Sequence, residues 1–166
     1  MALEIERRFL VRSEQWRALA GGPQSLRQGY LARSEQGITV RLRIQEEQGA
    51  WLTLKAPAEG YARHEFEYSV PLEDAEALWR LAPHRLSKTR YTLNLDGGDW
   101  VVDCFAGENA PLVLAEVELP ALDVALEIPS WCGLEITGDN RWSNAALASQ
   151  PLAQWPDTLK RSFDLL

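Results

Sequence analysis

The sequence contains few of the residues that build most metal and redox sites. Of its 166 residues two are histidine and two are cysteine, Cys104 and Cys132. The cysteines form no Cys-x-x-Cys motif, so neither a disulfide framework nor a thiolate metal site is indicated. We interpret both as small apolar side chains. Histidine and cysteine therefore do not indicate the chemistry of this protein.

Long apolar runs are absent and positive charge is in deficit. No stretch approaches the ~18 apolar residues of a membrane span, and charged residues begin at Glu4. We therefore expect a cytoplasmic protein without a membrane partner. Lys and Arg total 17 against 24 Asp and Glu, a net charge of −7, which argues against nucleic acid and other polyanions. The length and the 46% hydrophobic content predict one domain over residues 1–166. A homodimer stays an open alternative to a monomer.

Alternation of apolar and polar residues runs through most of the chain and predicts short strands. The expected strands are 3–11, 28–32, 39–45, 51–56, 63–70, 88–95, 100–105, 113–119 and 134–137. Helical spacing is expected at 13–19, 73–81 and 143–148. The connections are short, which favours antiparallel pairing. The pattern predicts a mainly β, α+β fold, an eight-stranded antiparallel closed barrel with short helices packed outside.

Charged side chains occupy alternate positions on these strands. Seven are bases: Arg8, Arg41, Arg43, Lys55, Arg63, Lys88 and Arg90. Eight are acids: Glu4, Glu6, Glu65, Glu67, Asp103, Glu116, Glu118 and Glu135. An antiparallel sheet with one face in water shows the same alternation, so a hydrated face with cross-strand ion pairs is the simplest interpretation.

Three features favour a charged barrel interior instead. The opposite faces are rich in aromatic and branched residues that helices can cover. The bases concentrate in the middle strands and the acids toward both ends of the chain. Arg dominates the bases, and its planar guanidinium matches phosphate oxygens. Paired carboxylates such as Glu4 and Glu6, or Glu116 and Glu118, suit Mg²⁺ or Mn²⁺. This pattern predicts a metal-assisted site for a linear polyphosphate.

Six segments resemble, in order, the motifs of CYTH proteins, the triphosphate tunnel metalloenzymes. Glu4-Ile5-Glu6-Arg7-Arg8 is similar to the N-terminal ExExK signature of that family. The later motifs are matched by Thr39-Val40-Arg41-Leu42-Arg43, Leu52-Thr53-Leu54-Lys55, Arg63-His64-Glu65-Phe66-Glu67-Tyr68, Lys88-Thr89-Arg90-Tyr91 and Ala115-Glu116-Val117-Glu118-Leu119. The resemblance covers roughly residues 2 to 150 and implies a triphosphate tunnel that uses a divalent metal.

The resemblance also implies roles for the residues. The triphosphate would be held by Arg41, Arg43, Lys55, Arg63, Lys88 and Arg90. Seven carboxylates would bind the metal or orient the bases: Glu4, Glu6, Glu65, Glu67, Asp103, Glu116 and Glu118. The family signature ends in a lysine that acts with a tyrosine, and these positions correspond here to Arg8 and Tyr30 as the catalytic pair. Arginine does not release a proton. Arginine in place of the family lysine is therefore expected to slow turnover if that lysine transfers a proton. It is expected to be harmless if the lysine only positions the tyrosine or a phosphate.

Three functions follow as hypotheses. The first is an Mg²⁺- or Mn²⁺-dependent triphosphatase that cleaves inorganic tripolyphosphate to pyrophosphate and phosphate. The second is a class IV adenylate cyclase, which requires an adenine pocket that the sequence does not locate. The third is a non-catalytic module that binds triphosphate or polyphosphate, which the exchange at Arg8 motivates. In each case the partner is a small-molecule triphosphate and not a nucleic acid.

Overall fold

Nine β-strands form the framework of the computed structural model, which describes residues 2–166. The strands are β1 (Ala2–Val11), β2 (Gln24–Arg33), β3 (Thr39–Gln45), β4 (Gly49–Pro57), β5 (Ala62–Val70), β6 (His84–Thr92), β7 (Asp99–Phe105), β8 (Val113–Glu118) and β9 (Cys132–Glu135). Three short helices accompany them: α1 (Leu72–Leu81), α2 (Asn144–Ser149) and α3 (Asp157–Ser162). Between residues 2 and 166, no helix has the length and apolar character needed to cross a membrane.

Eight of the strands close into an antiparallel barrel in the order β5-β4-β3-β2-β6-β7-β8-β1. The barrel closes where the start of β1 pairs with β5, with Glu4 opposite Arg63. The later part of β1 pairs with β9, which lies outside the closed ring. Closure pairs every strand on both sides and leaves an enclosed interior. The predicted eight-stranded antiparallel barrel is thereby confirmed.

Apolar side chains on the outer face of the barrel pack beneath the connecting segments. Phe9, Trp100 and Val117 belong to one buried cluster that includes Trp16 and Trp131 from outside the barrel strands. Helix α1 packs on β2, β3 and β4, and its Ala75 is fully buried against Leu42 and Ile44. These contacts bury much of the apolar outer face, although Phe66 and Tyr68 of β5 stay exposed there, and the polar half of the alternating pattern faces inward.

One end of the barrel is covered by the chain that follows β9. Inward-facing apolar residues at that end, among them Leu86, Phe105 and Leu114, form a cluster with Trp142 and with Leu147 of α2. Trp142 in turn makes edge-to-face contacts with aromatic rings of the C-terminal segment. Helix α2 therefore lies across the barrel end, whereas α1 lies on its outer wall.

The element boundaries expected from the sequence differ from the structure at several places. Strand β6 begins at His84 and ends at Thr92, so the prediction of 88–95 starts and ends too late. Strand β9 is Cys132–Glu135 rather than 134–137. Helix α3 lies in a segment for which no helix was expected. Cys132 is buried, Cys104 is only partly so, and both are free thiols.

Candidate functional site

The strand register places every predicted site residue on the inner face of the barrel. Tyr30 lies opposite Arg41, Lys55 opposite Glu65, and Arg90 opposite Asp103. Directly opposed residues project to the same side of a sheet. By this register the inner face carries Glu4, Glu6, Arg8, Tyr30, Arg41, Arg43, Lys55, Arg63, Glu65, Glu67, Lys88, Arg90, Asp103, Glu116 and Glu118. The sequence prediction of one shared polar face therefore agrees with the register.

A buried ion-pair network occupies the β6, β7, β8 and β1 wall. Asp103 accepts from Lys88 Nζ at 2.6 Å and from Arg90 Nε at 2.7 Å, and its side chain is fully buried. Glu116 lies 3.4 Å from Arg90 Nη2 and 3.2 Å from Arg8 Nε. Three bases thus share two carboxylates in one continuous network.

The pKa values of these groups record the competition between burial and pairing. Burial would raise the pKa of Asp103, but Arg90 and Lys88 hold it well below its usual range. Burial likewise opposes ionisation of Glu116, and Arg8 with Arg90 lowers the pKa of that carboxyl to about 2. Burial lowers the pKa of Lys88 to about 7, although Asp103 favours its charged form.

The opposite wall, formed by β3, β4 and β5, holds its bases less tightly. Arg41 Nη2 donates to Thr53 Oγ1 at 3.1 Å and lies 3.7 Å from Glu67. Arg63 Nη2 donates to the carbonyl oxygen of Gly37 at 2.6 Å. A carbonyl carries no net charge, so this contact orients the Arg63 guanidinium without neutralising it.

Lys55 bridges this wall to β1. Its ammonium nitrogen lies 2.6 Å from Glu4 Oε2 and 3.6 Å from Glu65 Oε2. Glu4 is a predicted metal ligand and Lys55 a predicted phosphate ligand, and the ion pair between them neutralises both charges.

Glu6 and Glu118 are carboxylates without a salt bridge in residues 2–166. They lie directly opposite each other on β1 and β8, an arrangement in which like charges repel. Burial, Glu116 and Glu4 raise the pKa of Glu6 to about 7. Burial together with Glu4 and Glu65 also raises the pKa of Glu118. A cation among these acids would relieve the repulsion.

A ready-made metal cluster is not found in the described part of the chain. No three Asp, Glu, His or Cys side chains of residues 2–166 converge closely enough to hold an ion. Glu6 and Glu118 nevertheless fit a hard divalent cation by their chemistry, since both offer carboxylate oxygens free of a basic partner. The predicted seven-carboxylate ligand set stays a prediction.

A cavity of about 620 Å³ opens into this interior, a size typical of small-molecule sites. Its wall includes Glu6, Arg8, Tyr30, Arg41, Lys55 and Arg63, along with the β2–β3 and β4–β5 connections and the segment before α2. Three guanidinium nitrogens of that wall, Arg8 Nη2, Arg41 Nε and Arg63 Nε, are buried without a hydrogen-bond acceptor. Buried N–H groups are rarely left unpaired, so these three guanidinium groups have hydrogen-bonding capacity that the protein itself does not use.

Arg8 and Tyr30 line the same cavity, as the predicted catalytic pair requires. No hydrogen bond joins them in the described structure. Arg8 instead donates through Nη1 to the carbonyl oxygen of Trp142 at 2.7 Å and through Nε to Glu116. Its guanidinium therefore ties β1 to the segment that covers the barrel end, a contact that a lysine is too short to make in the same way.

Two neighbours of the site were missed from the sequence. Gln28 is fully buried and hydrogen-bonded to both Arg43 and Tyr30. Asn144 of α2 accepts from Lys88 Nζ at 3.0 Å. The position of Gln28, two residues before Tyr30 on one strand, was the available signal. No local pattern connects Asn144 to Lys88. Glu135 was wrongly grouped with the inner acids, because it pairs outside the barrel with Arg7.

Comparison with known proteins places the chain in a family. The sequence pattern of the CYTH domain matches residues 2–128. The chain belongs to the CYTH domain family. This confirms the resemblance carried by the six sequence motifs.

Relatives of this CYTH chain span nearly its whole length. The inorganic triphosphatase of Acetivibrio thermocellus is 37% identical over 153 residues, 91% of this chain and 96% of that protein. The inorganic triphosphatase of Nitrosomonas europaea is 41% identical over 149 residues, 87% of this chain and 96% of that protein. The crystal structure of an inorganic triphosphatase superposes with a TM-score of 0.63 at 38% identity, covering 89% of this chain and 95% of that one.

Proposed function

We propose that this CYTH protein hydrolyses inorganic tripolyphosphate to pyrophosphate and phosphate with the help of Mg²⁺ or Mn²⁺. Two relatives at 37% and 41% identity are inorganic triphosphatases, and the alignments cover most of each chain. The class IV adenylate cyclase alternative has less support, because neither of these relatives is named a cyclase.

The structural support for the proposal comes from three arginines that line the cavity. Arg8, Arg41 and Arg63 line one cavity, and each guanidinium keeps a buried N–H group without an acceptor. Phosphate oxygens are strong acceptors for guanidinium groups. A chain of three phosphates offers several such oxygens along a line, which suits bases distributed around a tunnel. The net charge of −7 does not oppose this assignment, since bases and acids are nearly balanced on the inner face.

The proposed binding residues fall into two groups by accessibility. Arg41, Lys55 and Arg63 reach the cavity directly and would contact the phosphates. Arg43, Lys88 and Arg90 share the inner face but do not line this cavity, and their positive potential would strengthen the binding of an anionic substrate. Arg8 and Tyr30 would contact the reacting end of the substrate as the catalytic pair.

The carboxylates of β1 and β8 would hold the divalent cation. Glu6 and Glu118 are the first candidates because they repel each other and lack basic partners. Glu4, Glu65, Glu67, Asp103 and Glu116 would complete the metal shell or orient the bases, as their ion pairs with Lys55, Arg41, Arg90 and Arg8 suggest. A divalent cation held there would stabilise negative charge on the phosphates as a Lewis acid and would lower the pKa of a bound water.

The test is a substrate panel with and without metal. Phosphate release is measured from tripolyphosphate, ATP and thiamine triphosphate in Mg²⁺, in Mn²⁺ and in excess chelator. We expect metal-dependent release that is fastest from tripolyphosphate. Cyclic AMP formed from ATP would replace this proposal by the adenylate cyclase. Tight binding of tripolyphosphate with no turnover in either metal would replace it by the non-catalytic binding module.

A further inference from the structure

Arg43, like Arg63, differs from the remaining inner bases because no carboxylate of the described residues lies within salt-bridge distance of it. Lys88, Arg90, Arg8 and Lys55 each lie within salt-bridge distance of a carboxylate. Arg43 has no such partner within residues 2–166. Burial lowers its pKa, and the neighbouring charges of Arg41 and Arg90 lower it further. Its positive charge is therefore not neutralised by the protein.

A buried amide holds this guanidinium in place. Gln28, which is fully buried, accepts from Arg43 Nε at 3.2 Å and from Arg43 Nη2 at 3.0 Å through the single oxygen Oε1. A guanidinium can only donate, so the amide oxygen must face Arg43 and the amide nitrogen must face away. The donor chemistry of the guanidinium thereby determines the orientation of the Gln28 amide.

The amide nitrogen in turn determines how Tyr30 can act. Gln28 Nε2 lies 3.1 Å from the Tyr30 hydroxyl, and because an amide NH₂ only donates, the hydroxyl oxygen accepts this bond. The hydroxyl proton of Tyr30 is then available to another acceptor. No acceptor for that proton is bonded to Tyr30 within residues 2–166, and Tyr30 lines the cavity.

We propose that Gln28 is a positioning residue that orients the Tyr30 hydroxyl toward a triphosphate and holds Arg43 close to the site while leaving the charge of Arg43 intact. The inference rests on the proposed function, since it concerns the same site and substrate. A carboxylate at this position would hold Arg43 equally well but would neutralise it. It would also accept the Tyr30 proton and so turn the hydroxyl away from the substrate. A neutral amide is the side chain that performs both tasks.

The decisive variant is Gln28→Glu, which changes charge and hydrogen-bonding direction but not shape. Gln48→Glu is the matched control, because Gln48 is exposed in the β3–β4 turn and receives the same charge outside the barrel. We measure kcat and KM for tripolyphosphate and the melting temperature. Gln28→Glu is expected to raise KM at least tenfold (about 1.4 kcal/mol) and to lower kcat. Its melting temperature should equal or exceed that of wild type, because a buried cation gains a counter-ion.

A second pair of variants separates the two tasks of Gln28. In a Tyr30→Phe background the hydroxyl is already missing, so Gln28→Glu should still raise KM but should no longer lower kcat. A Gln28→Glu protein with the kinetics of Gln48→Glu overturns the inference, and so does one that only loses thermal stability. Wild-type protein that neither binds nor hydrolyses tripolyphosphate overturns the proposed function together with this inference. An active wild type with an unaffected Gln28→Glu variant overturns the inference alone.

Discussion

Replacing Arg8 by lysine tests whether this arginine ties the barrel wall to the segment that covers its end. The Arg8 guanidinium contacts two acceptors at once, the Trp142 carbonyl at 2.7 Å and Glu116 at 3.2 Å. Lysine is a single point donor on a shorter reach. It can retain the contact with Glu116 on β8, but the bond to Trp142 is expected to break.

The magnitude follows from the contacts that change. A hydrogen bond from a charged donor contributes about 1.5–3 kcal/mol to stability. Arg8 Nη2 is buried without an acceptor, and the removal of this unsatisfied donor stabilises the fold. It therefore offsets part of the lost hydrogen bond to Trp142, and a net destabilisation of roughly 1–2 kcal/mol remains. For a domain of this size each kcal/mol corresponds to about 2–4 °C. Arg8→Lys should therefore melt roughly 2–8 °C below wild type.

Thermal unfolding followed by circular dichroism measures this change, with Arg7→Lys as the control. Arg7 lies on the same strand but on the outside, where it pairs with the partly exposed Glu135, and surface pairs contribute about 0–1 kcal/mol. An Arg8→Lys protein as stable as Arg7→Lys would refute the tie to Trp142. Tripolyphosphate hydrolysis should persist in Arg8→Lys, which keeps the positive charge, and should be lost in Arg8→Met.

Three further predictions concern the buried charges. Asp103→Asn leaves Lys88 and Arg90 without their shared counter-ion and should cost about 3–5 kcal/mol in urea unfolding at pH 7. Because the pKa of Asp103 is lowered in the folded state, the difference in unfolding free energy between wild type and Asp103→Asn should shrink as the pH falls below about 4. Asp139→Asn is the control, and because its ion pair with Arg141 is exposed, it should lower the free energy of unfolding by less than about 1 kcal/mol. Glu6 has a pKa raised to about 7, so its ionised form destabilises the fold above its ordinary pKa. At pH 8, Glu6→Gln should raise the free energy of unfolding by up to about 3 kcal/mol and raise the melting temperature accordingly. At pH 4 both quantities should be unchanged. Finally, Mg²⁺ should raise the melting temperature of wild type more than that of Glu6→Gln, and equal shifts would argue against a metal at Glu6.

Much of the fold could be predicted because alternation is a local property. Strand β3 was expected at 39–45 and is found there, since each of its residues has a clear preference for one face. Strand β6 was placed too late because His84 and Arg85 give no apolar signal, and its start is determined by pairing with β2. Helix α3 follows Pro156 in a segment of weak periodicity and has no buried residue of its own; Phe163, which directly follows it, packs edge-to-face on Trp142.

The candidate site could be predicted as a set of residues but not as a set of contacts. Arg41 and Arg43 looked equivalent in the sequence, yet one is held by Thr53 and the other by Gln28. The metal-dependent step, the cytoplasmic location and the homodimer stay predictions.

The sequence by itself determined which side chains would share the barrel interior, because a period of two assigns each strand residue to one face wherever it pairs. Only the tertiary structure decided which base meets which acid. Register across the barrel sets Glu6 opposite Glu118 and Glu4 opposite Arg63, and these pairs are far apart along the chain. Barrel closure and strand register thus determine which charged side chains pair with each other and which guanidinium groups lack an acceptor.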